Sequence, residues 1–338
     1  MDLNIIWFLL VGVLIIGYAI LDGFDLGAGV LSLFTKRDHD RRIIMNAIGP
    51  VWDGNEVWLI TGGGALFAAF PRVYATVFSS FYLALILLLL ALIFRAVSFE
   101  FRGKVEVSGW RAAWDRAFGF GSLLPALLFG VAVGNILRGI PLNSEGVFTG
   151  TFLGLLNPYA LLVGILSLVM FTMHGAIYLT MKTEGELHAA MEGWINRSWM
   201  AFVVLYVATT IASYGSARYL FEGALGNPLW WILFLLILAS IISIPVAVKA
   251  GRFGLAFISS SLTIACAIGL AFTGLFPRLV PSFTNLDYSL TIYNASSTPL
   301  THWVMFMIAL IGMPIVLIYT IWIYRIFKGK VQIHEDSY

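Results

Sequence analysis

Charged residues, cysteine and histidine are all scarce in this chain of 338 residues. Only 11% of the residues are charged, against about 25% in a typical soluble protein, whereas 60% are hydrophobic. The single cysteine, Cys266, excludes an internal disulfide and any site built from several cysteines. The net charge of +2 says little by itself, and we expect no nucleic acid partner. With a mean hydropathy of +0.91, the composition excludes a soluble globular protein and predicts a membrane protein.

Long apolar runs occupy most of the sequence. A bilayer is crossed by about 20 residues of helix, and we count nine candidate runs. They cover residues 5–34, 51–70, 74–95, 118–137, 158–181, 198–220, 229–248, 255–276 and 303–327. The second run is the least regular because Asp53 and Glu56 lie in its first two turns. No Lys or Arg precedes Lys36, so we expect the first run to be a retained helix and not a signal peptide.

Lys and Arg are distributed unevenly between the connections. If the chain crosses nine times, sixteen of its twenty basic residues lie on one side. That set is Lys36, Arg37, Arg41, Arg42, Arg95, Arg102, Lys104, Arg111, Arg116, Lys182, Arg197, Lys249, Arg252, Arg325, Lys328 and Lys330, and the smaller set is Arg72, Arg138, Arg218 and Arg278. Because Lys and Arg are enriched in cytoplasmic loops, the split predicts nine spans, with the N-terminus outside and the C-terminus in the cytoplasm.

No soluble domain remains between the runs. We therefore expect one multi-pass membrane domain over residues 1–338, with helices 1–4 at about 5–137, helices 5–8 at about 158–276 and helix 9 at about 303–327. The longest outer connections, about 138–157 and 277–301, are rich in Ser, Thr, Asn, Pro and aromatic residues and are expected to form ordered caps. Glycines at 23, 27 and 62–64 are expected where helix backbones pack closely.

Six ionisable residues are expected in the cytoplasmic half of the membrane. They are Asp22, Asp25, Asp53, Glu56, Arg95 and Asp115. One interpretation is a buried ion-pair network in which Arg95 neutralises one or two acids and the others stay protonated. Because the acids outnumber this one arginine, we favour a path for protons or cations.

The histidines argue against a redox centre held by this chain. His39, His188 and His334 are expected on the cytoplasmic side and His302 at the outer surface, which leaves only His174 within a span. Haem iron commonly takes a histidine ligand, yet a hydrogen-bonded core histidine is the simpler interpretation of His174. We expect neither haem ligation nor a metal site in this chain.

Two tryptophans flank the acids of the second run. Trp52 and Trp58 could cover a quinone ring, although side-chain packing is the simpler interpretation.

Two long motifs closely resemble subunit II of the cytochrome bd quinol oxidases: GYAILDGFDLG at 17–27 and WDGNEVWLI at 52–60. Shorter matches are GGALFAAFP at 63–71, FR at 94–95, WD at 114–115, GELH at 185–188 and SSLT at 260–263. The resemblance extends over essentially the whole chain.

This resemblance implies an all-α fold of two four-helix bundles plus a peripheral ninth helix, in the bacterial plasma membrane. It implies an oxidoreductase complex that oxidises quinol on the outer side and reduces O2 to water. Two haems b, one haem d and the quinol-oxidation loop would belong to the partner, subunit I. Some members hold a structural quinone, and small single-helix accessory subunits are possible.

The resemblance also implies roles for individual residues. Asp53 and its neighbours would belong to a proton route from the cytoplasm, with Asp25, Arg95 and Asp115 supporting haem-site assembly or proton supply.

Two other functions stay open at this stage. A proton-coupled transporter could also use intramembrane acids, but such sites are typically at the membrane midplane between inverted repeats. Here the acids are expected to one side of the midplane and the internal repeat is weak. A pure assembly scaffold, with the acids as salt-bridge partners, is the third hypothesis.

Overall fold

The computed structural model describes residues 2–333, so His334 lies outside the described residues. These residues form eleven α-helices and two short strands. The helices are α1 Leu3–Ser32, α2 Asp38–Ile48, α3 Trp52–Ala69, α4 Pro71–Ser80, α5 Tyr82–Phe101, α6 Ser108–Arg138, α7 Pro158–Lys182, α8 Gly185–Ser216, α9 Pro228–Lys249, α10 Phe253–Leu275 and α11 Pro299–Ile326. The strands are β1 Arg278–Val280 and β2 Leu290–Thr291.

Eight of these helices are long and apolar enough to cross a membrane, namely α1 and α5 to α11. This confirms the prediction of an all-helical integral membrane protein. Helix α3 has 18 residues and is not among the eight, because Asp53, Asn55 and Glu56 make its first turns polar. The ninth span therefore stays a prediction.

Several predicted helix boundaries were wrong. The run at 74–95 is divided at Phe81 into α4 and α5, and α4 begins at Pro71, a position where the missing N–H costs nothing. Helix α5 continues to Phe101, so Arg95 lies inside it and does not end it. Helices α6 and α8 begin ten or more residues before their predicted starts at 118 and 198. Hydropathy marks only the apolar part of a helix, whereas its backbone hydrogen bonds continue into polar sequence.

Helix α1 lies at the centre and contacts α3, α6, α7 and α10. Its closest approach is to α7, where a Cβ atom on Gly27 would lie 1.9 Å from the Phe171 carbonyl oxygen and one on Gly175 would lie 2.5 Å from the Ala28 nitrogen. The predicted close contact at Gly27 is confirmed. An added Cβ on Gly63 or Gly64 would meet no described atom within 4 Å, so close packing at these two glycines stays a prediction.

Both ends of the bundle are fixed by contacts between distant segments. At one end the Trp7 indole donates to the His302 carbonyl (3.0 Å) and the Ser297 amide donates to the Ala69 carbonyl (2.9 Å). At the other end, called the basic end below, the Lys182 ammonium donates to the Phe327 carbonyl (2.6 Å). Helices α1, α5, α7 and α11 end at the basic end, and α3 begins there and runs antiparallel to α1.

The two long connections at 138–157 and 277–301 form an ordered cap, as predicted. Strands β1 and β2 pair antiparallel, with Arg278 opposite Thr291 and an irregularity before Val280. Ile140 from the other connection forms a bridge to Ser282, and Ile140, Val280 and Ser282 are buried. The cap therefore closes one end of the helices, and its buried residues share one core with residues of α1, α3 and α4.

Candidate functional site

The most deeply buried ion pair joins α1 to α5. Both Asp22 carboxylate oxygens accept from Arg95, at 2.6 Å from Nη2 and 3.0 Å from Nη1. The two side chains are 0% and 1% exposed. A bidentate arginine–carboxylate pair fixes both groups, and neither charge is tolerable in this interior without the other. This pair matches the ion-pair interpretation of the sequence.

Asp25 has a different environment from Asp22, although one helical turn separates them. Its Oδ2 accepts from the Asn55 amide of α3 at 2.7 Å. Its Oδ1 is buried and has no hydrogen-bond partner among the described residues. Asp25 is thus a fully buried carboxyl group with a neutral partner and one open oxygen.

Asn55 connects three helices. Besides Asp25, its amide donates to the Leu21 carbonyl at 3.2 Å, and its Oδ1 accepts from the Tyr324 hydroxyl of α11 at 2.9 Å. The sequence analysis gave neither Asn55 nor Tyr324 a role. Asn55 lies between two acids in a polar motif and could have been singled out, whereas no pattern distinguishes Tyr324 from the other aromatic residues near span ends.

The two acids of α3 lie closer to the surface of this chain. Asp53 is exposed and Glu56 is half-buried, at the start of the helix that carries Asn55. Asn55 contacts α1, and Asp53 lies two residues before it on the same helix, so Asp53 is on the side of α3 away from α1. The structure therefore places the four predicted acids at increasing depth, from Asp53 through Glu56 to the buried Asp25 and Asp22.

Asp115 does not join these acids. Its Oδ1 accepts from Arg102 Nε at 2.6 Å and its Oδ2 pairs with Arg41 Nη1 at 3.1 Å, while Arg102 also binds Asp38. This second cluster ties the start of α2 to the end of α5 and the start of α6. Because Asp115 pairs with two arginines, its contacts are those of a structural ion pair at the basic end.

The two tryptophans of α3 are both packed against neighbours. Trp52 stacks on Phe99 of α5, with ring centroids 5.0 Å apart and planes within 2°. Trp58 lies against Gly17, where an added Cβ would meet its ring at 2.3 Å. These contacts agree with the packing interpretation, and a quinone contact stays a prediction.

Of the histidines in the membrane-length helices, His174 is the one whose two ring nitrogens are both hydrogen-bonded to described residues inside the bundle. His174 contacts the Ser260 hydroxyl through Nδ1 (2.7 Å) and the Ile20 carbonyl through Nε2 (3.0 Å), as predicted for a core histidine. His302 Nε2 donates to the Ala69 carbonyl at 2.9 Å. The environment of His174 does not fit an axial haem ligand, which needs a free nitrogen. Among the described residues no group of three or more His, Cys, Asp or Glu fits a metal ion.

Eight membrane-length helices around buried carboxyl groups define a multi-pass membrane protein with its polar chemistry near one end. The family described as "Cytochrome bd terminal oxidase subunit II" matches residues 3–327. The chain belongs to this family. With the bacterial relatives below, this identifies a multi-pass protein of the bacterial plasma membrane.

Similar proteins agree over nearly the full chain. The cytochrome bd-I ubiquinol oxidase subunit 2 of Escherichia coli K12 is 41% identical, over 97% of this chain and 95% of its own length. The cytochrome bd ubiquinol oxidase subunit 2 of Bacillus subtilis 168 is 35% identical, over 99% and 98%. A chain of the bd oxidase structure from Geobacillus thermodenitrificans has the same fold, with TM-score 0.79, 18% identity and coverage of 97% and 99%.

Proposed function

We propose that this chain is subunit II of a cytochrome bd-type quinol oxidase, which oxidises quinol and reduces O2 to water. The supporting observation is a family match over residues 3–327 that contains the buried acid cluster of α1, α3 and α5. Both nitrogens of His174, the histidine predicted within a span, are hydrogen-bonded, which supports assigning the haems of the complex to the partner, subunit I. This chain supplies structure and part of a proton path.

The proposed topology has nine spans, with the basic end in the cytoplasm. One bundle consists of α1, α3, α5 and α6, the other of α7 to α10, and α11 is a peripheral ninth span. Two observations support this topology: α3 lies beside α1, and Arg102, which follows α5, pairs with Asp38, which precedes α3. Because α5 is long enough to cross the membrane, these two residues can lie at one end only if α3 crosses as well.

Cysteine labelling tests this topology. Cys266 is buried, so single cysteines can be introduced with little background. His39→Cys and Gly103→Cys should both resist an impermeant maleimide in intact cells and react after the membrane is opened. Labelling of one of them from outside would show that α3 does not cross.

The proposed partner surface includes α11 and the outer face of α3. Along the 18 most apolar consecutive residues of α11, no residue is buried within this chain. On α3, Val57, Ile60 and Phe67 are exposed, and Gly63 and Gly64 have open space beside them. Apolar helices with glycines on the same face suit close packing against helices of subunit I.

The proposed proton route begins at Asp53 and passes Glu56 towards Asp25. An exposed acid followed by a half-buried and then a buried one gives protons a stepwise entry from the basic end. Asp25 can accept a proton on its open Oδ1, whereas both Asp22 oxygens are held by Arg95. Asp22 and Arg95, with Asp115, support assembly of the site.

Asp53→Asn in the purified complex tests the route. Loss of a positioned proton-transfer group should slow oxygen consumption by about tenfold or more while haem absorbance stays normal. Glu192→Gln is the matched control, because Glu192 is a partly exposed acid at the same end, and its ion pair within the described chain is with His188. Full turnover by Asp53→Asn would remove Asp53 from the route, and equal slowing in both variants would point to a general charge effect.

A further inference from the structure

An apolar groove runs between α5 and α6 on the side of the helical bundle that faces away from its interior. It has a volume of about 380 Å³ and is lined by Leu87, Leu90 and Phe94 of α5 and by Phe120 and Leu124 of α6. Its one charged lining residue is Arg116, at the basic end. The groove is thus apolar along its length and cationic at one end.

The length of the groove corresponds to one leaflet. Its lining on α6 extends from Ala113 to Leu124, which at 1.5 Å per residue is about 16 Å. Half of the hydrocarbon core of a bilayer is about 15 Å. The groove therefore has the length of an acyl chain that lies in one leaflet.

The cationic end lies at the level of lipid headgroups. Trp110 and Trp114 precede Arg116 on α6, and tryptophans collect at the membrane surface. Arg116 is exposed and forms no ion pair with the described residues, because both oxygens of the adjacent Asp115 are taken by Arg102 and Arg41. A long arginine side chain here can extend towards the surface.

A second, more polar pocket adjoins the first at Arg116. It measures about 130 Å³ and is also lined by Arg41, Asp115 and Ser32. Arg41 is paired with the Asp115 carboxylate at 3.1 Å and donates to the Lys36 carbonyl at 3.1 Å, so its charge is already matched. Arg116 is therefore the cation beside the end of the apolar groove that has no ion pair with the described residues.

We propose that the α5–α6 groove binds an acyl chain of an anionic phospholipid whose phosphate is bound by Arg116. The apolar groove accepts the chain, and Arg116 selects the negative headgroup. The site is separate from the acid cluster and does not depend on the proton route.

The test is native mass spectrometry of the detergent-purified complex with added phosphatidylglycerol or phosphatidylcholine of the same acyl chains. The complex should bind phosphatidylglycerol more tightly. Arg116→Gln should weaken that binding about fivefold, the value of one basic residue near an anionic lipid, and Ala117→Phe, which fills the groove, should also weaken it. Arg111→Gln, which removes the same charge from α6 outside the groove, should change binding less than about twofold.

Equal losses in Arg116→Gln and Arg111→Gln would overturn the proposal in favour of general surface charge. So would equal binding of the two lipids. A photo-crosslinking residue at Leu90 gives an independent readout. A lipid adduct supports the proposal, and an adduct to the partner subunit shows that protein covers the groove.

Discussion

The two halves of the helical bundle, α1 to α6 and α7 to α10, differ in the kind of polar groups that they bury. In α1, α3, α5 and α6 the interior holds Asp22, Asp25 and Arg95. In α7 to α10 the buried contacts are neutral, such as Ser240 with Thr263 at 2.8 Å and His174 with Ser260 at 2.7 Å. Charge inside a membrane is costly and neutral hydroxyl pairs are not. Burying charged groups in the first half therefore costs free energy that a stable bundle does not require. We attribute these buried charges to the function of the protein.

The largest expected effect is in the first half, at Arg95. Arg95→Gln leaves the Asp22 carboxylate buried without its cation, which costs about 3–5 kcal/mol. We expect a lower melting temperature of the purified complex and less bound haem. The double variant Asp22→Leu/Arg95→Leu removes both charges and should recover most of the stability. Unchanged stability and haem content in Arg95→Gln would contradict the structural role of the pair.

Asn55→Leu should have the next largest effect. It removes the hydrogen-bond donor to Asp25, and a buried group left unsatisfied costs about 1–3 kcal/mol. Thermal unfolding of the complex measures this loss. Asn196→Leu is the control, because it changes an exposed asparagine of α8 outside the acid cluster. If Asn55→Leu were no more destabilising than Asn196→Leu, the contact with Asp25 would contribute nothing.

Tyr324→Phe tests how α11 supports the first half. It deletes only the hydroxyl that donates to Asn55 and should cost about 1 kcal/mol. Tyr319→Phe, on the same helix and exposed, should cost nothing measurable in the same melting experiment. Equal melting temperatures for the two variants would show that the Tyr324 hydroxyl does not stabilise Asn55.

The smallest effect is expected in the second half. Ser240→Ala removes one hydroxyl contact between α9 and α10, worth about 0.6 kcal/mol on average inside a membrane. Oxygen consumption should stay normal, because no ionisable group is involved. A large loss of activity in this variant would break the contrast between the two halves.

Much of the fold follows from the sequence because lipid forces spanning segments into apolar helices. The apolar runs predicted eight helices now found at membrane length, and the acid motifs of α1 and α3 contain the acids of the proposed site. The break at Phe81 was missed because the run at 74–95 is apolar overall, although Ser79 and Ser80 directly precede the break. Hydropathy also could not show which acid Arg95 neutralises or that Tyr324 contacts Asn55, since both depend on packing between distant helices.

The central claim is that Asp25 moves protons while the second half only supports it. Oxygen consumption by the purified complex, compared between Asp25→Asn and Ser260→Ala, tests this most directly. Asn at position 25 can keep a hydrogen bond to Asn55 but cannot take up a proton, so we expect turnover to fall about tenfold or more, while Ser260→Ala stays near normal. Full turnover by an Asp25→Asn complex with normal haem absorbance would contradict the claim.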